Sequence, residues 1–417
     1  MKTDWDTAVI GGGAAGFFAA VHAAQGGRFR TVILEKSAKL LAKVRISGGG
    51  RCNVTHDCDY PSQLVKHYPR GGKKLKKAFE RFGTQDTRLW FESRGVKLKT
   101  EADGRVFPVT DSSETVIDCL MRAARACNTE IRLRAEVTSV QRDEEGIFHV
   151  ETTDGAHLSC RKLIVCAGGS PKNEAYGFIR DLGIRIIPPV PSLFTFNVPD
   201  FDLTDLAGIA SPNASVQIPG SGYKSSGPLL ITHRGFSAPA VIKLSALAAL
   251  ELHARKYRFP ILIDWTGCGE EGARAYLAAM REQHPRKKTV SNPGFDLPAR
   301  LWERLCTKAG IAPETRTGDL PAKSANRLTE VLVRCPYDVA GKNAFKEEFV
   351  TCGGADLNEV ETGSFESRKI PGLYFAGEFL NVDGLTGGFN FQHAWTSGFL
   401  AGSHAAAALT EAASGAE

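Results

Sequence analysis

The stretch Thr7-Ala8-Val9-Ile10-Gly11-Gly12-Gly13-Ala14-Ala15-Gly16 decides the fold of this 417-residue chain. Its first four residues are uncharged, and three of them are β-branched, which suits a buried strand. A run of glycines follows, and residues 17–25 continue with the small and apolar side chains of a helix. This order of strand, glycine turn and helix predicts the opening βα unit of a doubly wound α/β domain.

Gly11, Gly13 and Gly16 occupy the three positions of a G-x-G-x-x-G pattern. In this pattern the first glycine permits the tight turn and the second lets a diphosphate approach the backbone. The third lets the helix pack closely on the strand. Ala14 and Ala15 complete the loop, and the free N–H groups of a helix N-terminus favour phosphate. The loop therefore predicts a site for a diphosphate.

An acidic residue follows at the distance that a dinucleotide site requires. Residues 31–34 form a second uncharged, strand-like run that ends at Glu35. A carboxylate about 20 residues past the glycine turn can accept hydrogen bonds from a ribose hydroxyl. We therefore expect a bound dinucleotide, NAD or FAD, against the alternative of a βαβ unit that binds none.

The composition excludes several classes of protein. The 43 glycines form clusters and no regular repeat, so a collagen-like chain is excluded. Hydrophobic residues make up 42% of the chain, which is too many for a disordered protein. The ten cysteines include no Cys-x-x-Cys pair, so zinc ribbons and iron–sulfur clusters are disfavoured and no metal site is expected.

Charge and cysteine content also bear on location and partners. The net charge of +6 is mild and does not by itself argue for nucleic acid or membrane. The apolar residues 8–24 contain many glycines and alanines and are fewer than the roughly 20 residues that span a bilayer. Irregular cysteines in a long chain fit a reduced compartment. We expect a cytoplasmic protein without a membrane span.

At residues 163–169 and 372–378 a strand-like apolar run leads into glycine. Two further glycine clusters lie in residues 47–55 and 383–392. The blocks G-G-G-x-x-G, I-S-G-G-G-R-C-N-V-T, A-G-G, G-L-Y-F-A-G-E and D-G-x-T-G-G-F-N-x-Q occur in that order. Together they resemble a bacterial flavoprotein family that includes aminoacetone oxidase-like and bile-acid dehydro-reductase-like proteins. The resemblance covers nearly the whole chain and implies FAD as the cofactor.

The resemblance also implies which residues hold each part of FAD. The loop at residues 11–16 would bind the diphosphate, residues 47–53 would line the flavin, and the helix that starts at residue 387 would face the isoalloxazine ring. Val137 would meet the adenine, and Asp383 would lie along the ribityl chain. The full predicted cofactor site comprises Gly11, Gly13, Ala14, Ala15, Gly16, Glu35, Lys36, Lys43, Ser47, Gly48, Gly49, Gly50, Arg51, Cys52, Asn53, Val137, Ala167, Gly168, Gly377, Glu378, Asp383, Gly387, Gly388, Phe389 and Asn390.

Two positions depart from the pattern of that family. Asn381 stands where members usually carry Asp, and His56 stands where they usually carry Asn. The first change removes a charge near the predicted flavin chain, and the second alters the predicted rim of the pocket.

The middle of the chain differs from both ends in its pattern of predicted secondary structure. Proline-rich residues 188–191 mark a boundary, and short strand-like runs with Gly and Pro turns follow them. The predicted fold class is α/β: a Rossmann-like FAD-binding domain of the glutathione-reductase type, interrupted by a β-rich insert with a small helical subdomain. The FAD-binding domain comprises residues 1–190 and 346–417. The insert comprises residues 191–345, with strands in 191–265 and helices in 266–335, and we expect it to cover the flavin.

Two further motifs carry weaker alternatives. Cys52 and Cys58 lie beside the predicted flavin loop, but their spacing and the lack of a second dinucleotide motif disfavour an NAD(P)H-dependent disulfide reductase. Residues 73–82 form a basic amphipathic helix that could touch nucleic acid or anionic lipid, yet such charge runs are usually solvated faces. His233 and Arg234 could bind substrate, although a turn that joins a strand to a helix explains them better.

The sequence thus predicts an FAD-dependent oxidoreductase. A hydride would pass between flavin N5 and NAD(P)H or a small amine, hydroxy or enone substrate, with NAD(P)H or oxygen as redox partner. The alternative is a flavin-containing protein that modifies or binds RNA, and we expect no nucleic acid partner. The sequence assigns no catalytic acid or base.

Overall fold

The computed structural model describes residues 3–343 and 350–414. The chain divides into two compact units, Met1–Ser192 with Lys346–Glu417, and Leu193–Phe345. We call the first the nucleotide unit and the second the insert.

The first part of the nucleotide unit contains helices α1 to α7 and strands β1 to β10. The helices are Ala14–Ala23, Ala42–Gly50, Pro61–Leu64, Gly72–Arg81, Thr84–Glu92, Ser113–Ala126 and Gly177–Arg180. The strands are Trp5–Ile10, Thr31–Glu35, Thr55–His56, Leu98–Thr100, Arg105–Pro108, Glu130–Leu133, Val137–Arg142, Phe148–Thr152, His157–Val165 and Ile186–Ser192.

The insert contains strands β11 to β17 and helices α8 to α12. The strands are Thr195–Asn197, Ala210–Gln217, Lys224–Thr232, Gly235–Ser237, Arg258–Asp264, Cys335–Ala340 and Lys342–Asn343. The helices are Pro239–Leu247, Ala249–Ala254, Gly269–Gln283, Ala299–Lys308 and Ala322–Val333. Seven antiparallel strands form one sheet in the order β16-β15-β12-β13-β14-β11-β17 within the described residues.

The chain then returns to the nucleotide unit with strands β18 to β21 and the long helix α13. These are Val350–Ala355, Val360–Glu361, Glu366–Ser367, Leu373–Phe375 and Phe389–Ser414. A parallel core runs in the order β6-β2-β1-β9-β21, so the two ends of the chain share one sheet. The Rossmann-like α/β prediction is confirmed.

Small residues explain how α1 and α13 pack together. A Cβ added at Gly398 would lie 2.8 Å from the carbonyl oxygen of Ala15, and one added at Gly402 would lie 2.3 Å from that of Ala19. Only glycine permits this approach, since a real Cβ essentially never sits within 3.0 Å of such an atom. The glycine and alanine content of both helices therefore brings the C-terminal helix against the first βα unit.

One feature of the proline-rich segment was not predicted. Residues 188–191 lie within β10, which pairs with β18 in an antiparallel two-stranded sheet. The register shifts between Ile187 and Val190, so Pro188 and Pro189 fall at the irregularity. A proline has no N–H to donate, and a bulge accommodates it without breaking the ladder. The prolines thus mark a strand inside the nucleotide unit, directly before the insert begins.

None of the helices in the described part of the chain is both long and apolar enough to cross a bilayer. A cytoplasmic location stays a prediction.

Candidate functional site

The predicted site residues gather where the parallel strands end. Strands β1, β2, β9 and β21 run in the same direction, and their carboxyl ends lead into residues 11–16, 36–41, 166–169 and 376–378. Ligands of open α/β sheets bind in the crevice at these ends. The topology therefore brings together four sequence motifs that lie far apart in the chain.

The start of α1 is an open helix N-terminus. Gly13 precedes the helix with an extended backbone, and no side chain caps it. Among the described residues, no atom outside its own neighbours lies within 4 Å of a Cβ added at Gly13. The first N–H groups of a helix lack intrahelical partners and carry partial positive charge. This open turn fits a diphosphate.

Gly11 and Gly16 have a different role in the same loop. A Cβ at Gly11, whose φ is +110°, would lie 2.3 Å from the carbonyl oxygen of Cys166. A Cβ at Gly16 would lie 1.8 Å from the carbonyl oxygen of Gly11. These two glycines permit the turn and the close packing of helix on strand, as the motif predicts.

The Glu35 carboxylate is hydrogen-bonded to the main chain of the glycine loop. Its Oε2 accepts a hydrogen bond of 2.8 Å from the Gly12 N–H, and its Oε1 accepts one of 2.8 Å from the Ser37 N–H. A carboxylate oxygen offers two acceptor positions, so each retains one for a ribose hydroxyl. Lys36 is exposed beside it. Val137 begins β7, two residues after Ala135, whose N–H donates to the Glu35 carbonyl.

Residues 47–50 form a ribbon of exposed backbone at the end of α2. Ser47 leaves the helical conformation with ψ of 148°, and Gly48, Gly49 and Gly50 then take φ values of +58°, +69° and +82°. Three consecutive left-handed residues favour glycine because each would strain a residue that carries a Cβ. Open space borders Gly49 and Gly50. The ribbon can therefore lie directly against a flat ligand.

The residues after this ribbon turn away from the open space. The Arg51 guanidinium lies 4.0 Å from the centre of the Phe107 ring and forms an ion pair of 2.7 Å with Glu101. Cys52 is completely buried, and burial raises the pKa of its thiol to about 12. Cys52 and Cys58 are both free thiols. A neutral, buried thiol is a poor nucleophile, so Cys52 packs as an apolar residue.

Asn53 brings the ribbon to the loop before α13. Its side chain is 8% exposed, and its Oδ1 has no hydrogen-bond partner among the described residues. A Cβ added at Gly388 would lie 2.9 Å from this oxygen and 2.5 Å from the Thr55 carbonyl oxygen. A buried acceptor without a donor costs free energy unless a ligand satisfies it. A flavin ring carries N–H groups that can serve as the donor, so this feature fits FAD.

Long-range contacts fix the loop at residues 382–390. The Tyr68 hydroxyl donates to the Phe389 carbonyl at 2.6 Å, and His56 Nδ1 lies 2.9 Å from the Gly387 carbonyl oxygen. The Asn390 amide makes two hydrogen bonds to the main chain of Gly384, which closes the loop on itself. The N-terminus of α13 is thereby held in one position.

Asp383 lies at the centre of these contacts. Its carboxylate is completely buried and pairs with Arg70, whose Nε donates to Oδ1 at 2.6 Å and whose Nη2 donates to Oδ2. The Ser192 hydroxyl donates to Oδ2 at 2.8 Å. Burial raises the pKa of Asp383, and Arg70 opposes that effect.

Asp383 and Cys52 are completely buried within the predicted site. The contact of either residue with the cofactor stays a prediction, as does that of Asn53 Oδ1, which is buried as well. We assign both a supporting role, in which they hold the loops that border the open space. The other predicted contacts stay predictions.

Glu378 connects the end of β21 to α2. Its carboxylate forms an ion pair with Lys43 and accepts a hydrogen bond of 2.8 Å from the Thr351 N–H. A Cβ added at Gly169 would lie 2.6 Å from Glu378 Oε1, while open space borders Gly168. Ala167, Gly168, Gly377 and Glu378 therefore lie around one corner of the crevice.

Several residues of the site had no signal in the sequence. Arg70, Tyr68 and Ser192 belong to no motif, and only the folded chain shows that they support the loop before α13. His67 stacks on Phe389 with ring centres 4.2 Å apart. In the insert, His233 and Arg234 are exposed in the turn between β13 and β14. This turn joins two antiparallel strands, where the simpler interpretation predicted a turn from a strand to a helix.

Comparison with known proteins gives the family. The sequence matches the family described as HI0933-like protein Rossmann domain over residues 5–404. A ribosomal RNA dihydrouridine synthase of Escherichia coli is 31% identical over 402 residues, which cover 94% of this chain and 96% of that protein. A 3-dehydro-bile acid delta(4,6)-reductase of Clostridium scindens is 26% identical, covering 95% of this chain and 98% of that protein.

A solved structure shows the same fold. The 3-ketosteroid delta1-dehydrogenase of Sterolibacterium denitrificans superposes with a TM-score of 0.52 at 15% identity, covering 97% of this chain and 99% of that chain. The cofactor is FAD, as the resemblance implied. The chain belongs to the HI0933-like family and is an FAD-dependent oxidoreductase.

Proposed function

We propose that this protein reduces a carbon–carbon double bond that is conjugated to a carbonyl group. The supporting observation is that two relatives, each similar over nearly the whole chain, are named for reactions on this functional group. Dihydrouridine differs from uridine in the saturation of the bond that is conjugated to the uracil C4 carbonyl. A 3-dehydro-bile acid with Δ4 and Δ6 bonds carries its double bonds conjugated to the C3 carbonyl.

The same redox balance holds for both kinds of substrate. The β-carbon of the conjugated system gains a hydride and the α-carbon gains a proton, while NADH or NADPH is oxidised. When bound, FAD supplies the two-electron chemistry that links these two half-reactions. The sequence left open whether the substrate is oxidised or reduced, and we propose that it is reduced.

The residues of the crevice supply binding and electrostatics. We propose that the open N-terminus of α1 at Gly13 holds the diphosphate and that Glu35 holds the adenosine ribose. The ribbon at Gly49 and Gly50 would support the ring, and Asn53 Oδ1 would accept a hydrogen bond from it. A helix N-terminus stabilises nearby negative charge by about 0.3–1 kcal/mol, and more when it is partly buried. The start of α13 would therefore favour an anionic reduced cofactor.

Anaerobic stopped-flow spectroscopy tests the reaction class. The purified holoenzyme is reduced with NADH, NADPH or dithionite and then mixed with a candidate acceptor. The acceptors are deproteinised ribosomal RNA that contains uridine, and a 3-oxo-4,6-diene steroid. We expect one of them to restore the absorbance of oxidised flavin, and mass spectrometry to show the gain of two hydrogens in the product.

The same experiment can overturn the proposal. If neither unsaturated carbonyl compound reoxidises the flavin, while an amine or a hydroxy compound bleaches the oxidised enzyme, the protein is an oxidase or dehydrogenase of that compound. An Asn53→Ala variant is the matched test of the site. We expect this variant to retain the fold, to bind FAD more weakly and to react more slowly with the same acceptor.

A further inference from the structure

Helix α4 presents a strongly basic outer face. Its apolar residues Leu75, Ala78 and Phe79 are buried in the core of the nucleotide unit. The residues between them are four exposed lysines, Lys73, Lys74, Lys76 and Lys77. We call these four side chains the α4 lysine face.

Few groups of the protein neutralise this face. Glu80 lies 3.8 Å from Lys76, and Lys74 donates a hydrogen bond to Asn358. Within the part of the chain that the structure describes, Lys73 and Lys77 have no carboxylate partner. Helix α4 carries five cations, the four lysines and Arg81, and one acid on ten residues. They create a local positive potential that the mild net charge of the chain conceals.

The position of α4 connects this face to the candidate site. A Cβ added at Gly71, which directly precedes the helix, would lie 2.7 Å from the Val382 side chain. The Leu385 N–H donates to the His67 carbonyl, and Arg70 pairs with Asp383. The segment that leads into α4 is thus bonded to the loop before α13. A polymer that lies on the α4 lysine face would lie beside the proposed site of the reaction.

We propose that the α4 lysine face binds the phosphate backbone of an RNA. Lysines that neutralise phosphates release condensed counterions, and this release drives the binding of nucleic acids. An exposed aromatic residue adds to the surface: Tyr60 is 74% exposed directly before α3, which packs against α4. Unpaired bases stack on such rings. The proposal revises our expectation that the protein has no nucleic acid partner.

An anionic membrane is the competing partner, and the structure favours RNA. A helix that binds a membrane surface inserts an apolar face into the lipid. The apolar residues of α4 are all packed inside the protein, and none of the exposed large hydrophobic residues lies on this helix. Helix α4 itself therefore offers charge without an apolar face to insert, which suits a phosphate chain.

Fluorescence anisotropy tests the proposal with the oxidised holoenzyme, a labelled oligouridine and increasing salt. The variant Lys73→Glu/Lys77→Glu should bind at least about tenfold more weakly at low salt, with a shallower dependence of log K on log salt. The variant Lys73→Arg/Lys77→Arg should bind like the wild type, because arginine keeps the charge. The matched control Arg286→Glu/Lys287→Glu, which makes the same charge change on exposed residues of the insert, should bind far more tightly than the α4 variant.

Flavin absorbance and the melting temperature report on the fold of each variant. Equal loss of affinity in the α4 and control variants would overturn the proposal, as would a wild type that binds vesicles of phosphatidylglycerol but no oligouridine. The link of this surface to catalysis rests on the proposed function, but the binding assay involves no reductant and no turnover. A wild type that binds RNA through α4 yet reduces no double bond would refute only the proposed function. Reduction of an enone without dependence of RNA binding on α4 would refute only this inference.

Discussion

The two loops that border the candidate site are built in opposite ways. The loop at residues 11–16 is made by consecutive residues, and its shape follows from Gly11, Gly16 and the strand and helix on either side. The loop at residues 382–390 is held by residues from distant parts of the chain, chiefly Arg70 and Tyr68. The loop at a helix N-terminus can therefore be shaped by consecutive residues, or it can be held in place by side chains from distant parts of the chain.

Removal of the remote support should have the largest effect. Arg70→Met leaves the carboxylate of Asp383 buried without a cation, and breaking a buried ion pair in this way costs about 3–5 kcal/mol. Urea denaturation should show this loss of stability. The double variant Arg70→Met/Asp383→Leu should recover most of it, because no uncompensated charge remains. A loss below about 1 kcal/mol in the single variant would mean that remote support is unimportant.

The local loop should break through sterics. Gly16→Ala places a Cβ 1.8 Å from the Gly11 carbonyl oxygen, so strand and helix must separate. Overpacking of this kind costs about 1–3 kcal/mol. We expect a lower melting temperature together with weaker retention of FAD on gel filtration. Wild-type stability in this variant would show that the helix start can shift without cost.

Acid should weaken both helices that carry these loops. His22 of α1 accepts a hydrogen bond from Trp90 Nε1, and His393 of α13 is buried with its Nδ1 unpaired among the described residues. Burial lowers the pKa of each from 6.5 to about 4, so the folded state stays neutral while the unfolded state takes up protons.

The sign of the pH effect follows from that difference in proton uptake. Stability is unaffected above pH 6.5 and is lost as the pH falls from 6.5 toward 4, by about 1.4 kcal/mol per pH unit for each histidine. Denaturation curves at several pH values measure it. His22→Phe should reduce the slope of the unfolding free energy against pH by the contribution of one histidine. An unchanged slope would assign the acid sensitivity to other groups.

The smallest effect on stability is expected at Gly13. Gly13→Ala adds a Cβ to open space at an extended backbone, so the free energy of unfolding of the apoprotein should change by less than about 0.5 kcal/mol. FAD affinity should fall about tenfold, or about 1.4 kcal/mol, because the methyl group occupies space next to the proposed diphosphate. Titration of apoprotein with FAD measures it. Unchanged affinity would place the diphosphate elsewhere.

Elements that adjacent residues encode could be predicted from the sequence, whereas features that depend on residues far apart in the chain could not. Strands β1, β2, β9 and β21 were predicted, because short uncharged runs encode them locally. The strand that contains residues 188–191 was not predicted, since its partner β18 comes from more than 150 residues away in the chain. The shift in register between Ile187 and Val190 depends on the pairing of β10 with β18, which the residues of β10 alone do not reveal.

The sequence by itself determined the fold class and the glycine positions, because a tight turn, a left-handed ribbon or a close helix contact each excludes a Cβ locally. The choice of FAD over NAD came from the resemblance to a known family. Only the tertiary structure decided which residues support those glycines. It showed that Asp383 and Cys52 are buried and that Asn53 Oδ1 has no donor among the described residues. It also showed that the segment before the basic helix α4 is bonded to the loop before α13. The physical reason is that burial, ion pairing and unsatisfied hydrogen bonds are properties of neighbours in space, and those neighbours lie far apart in the chain.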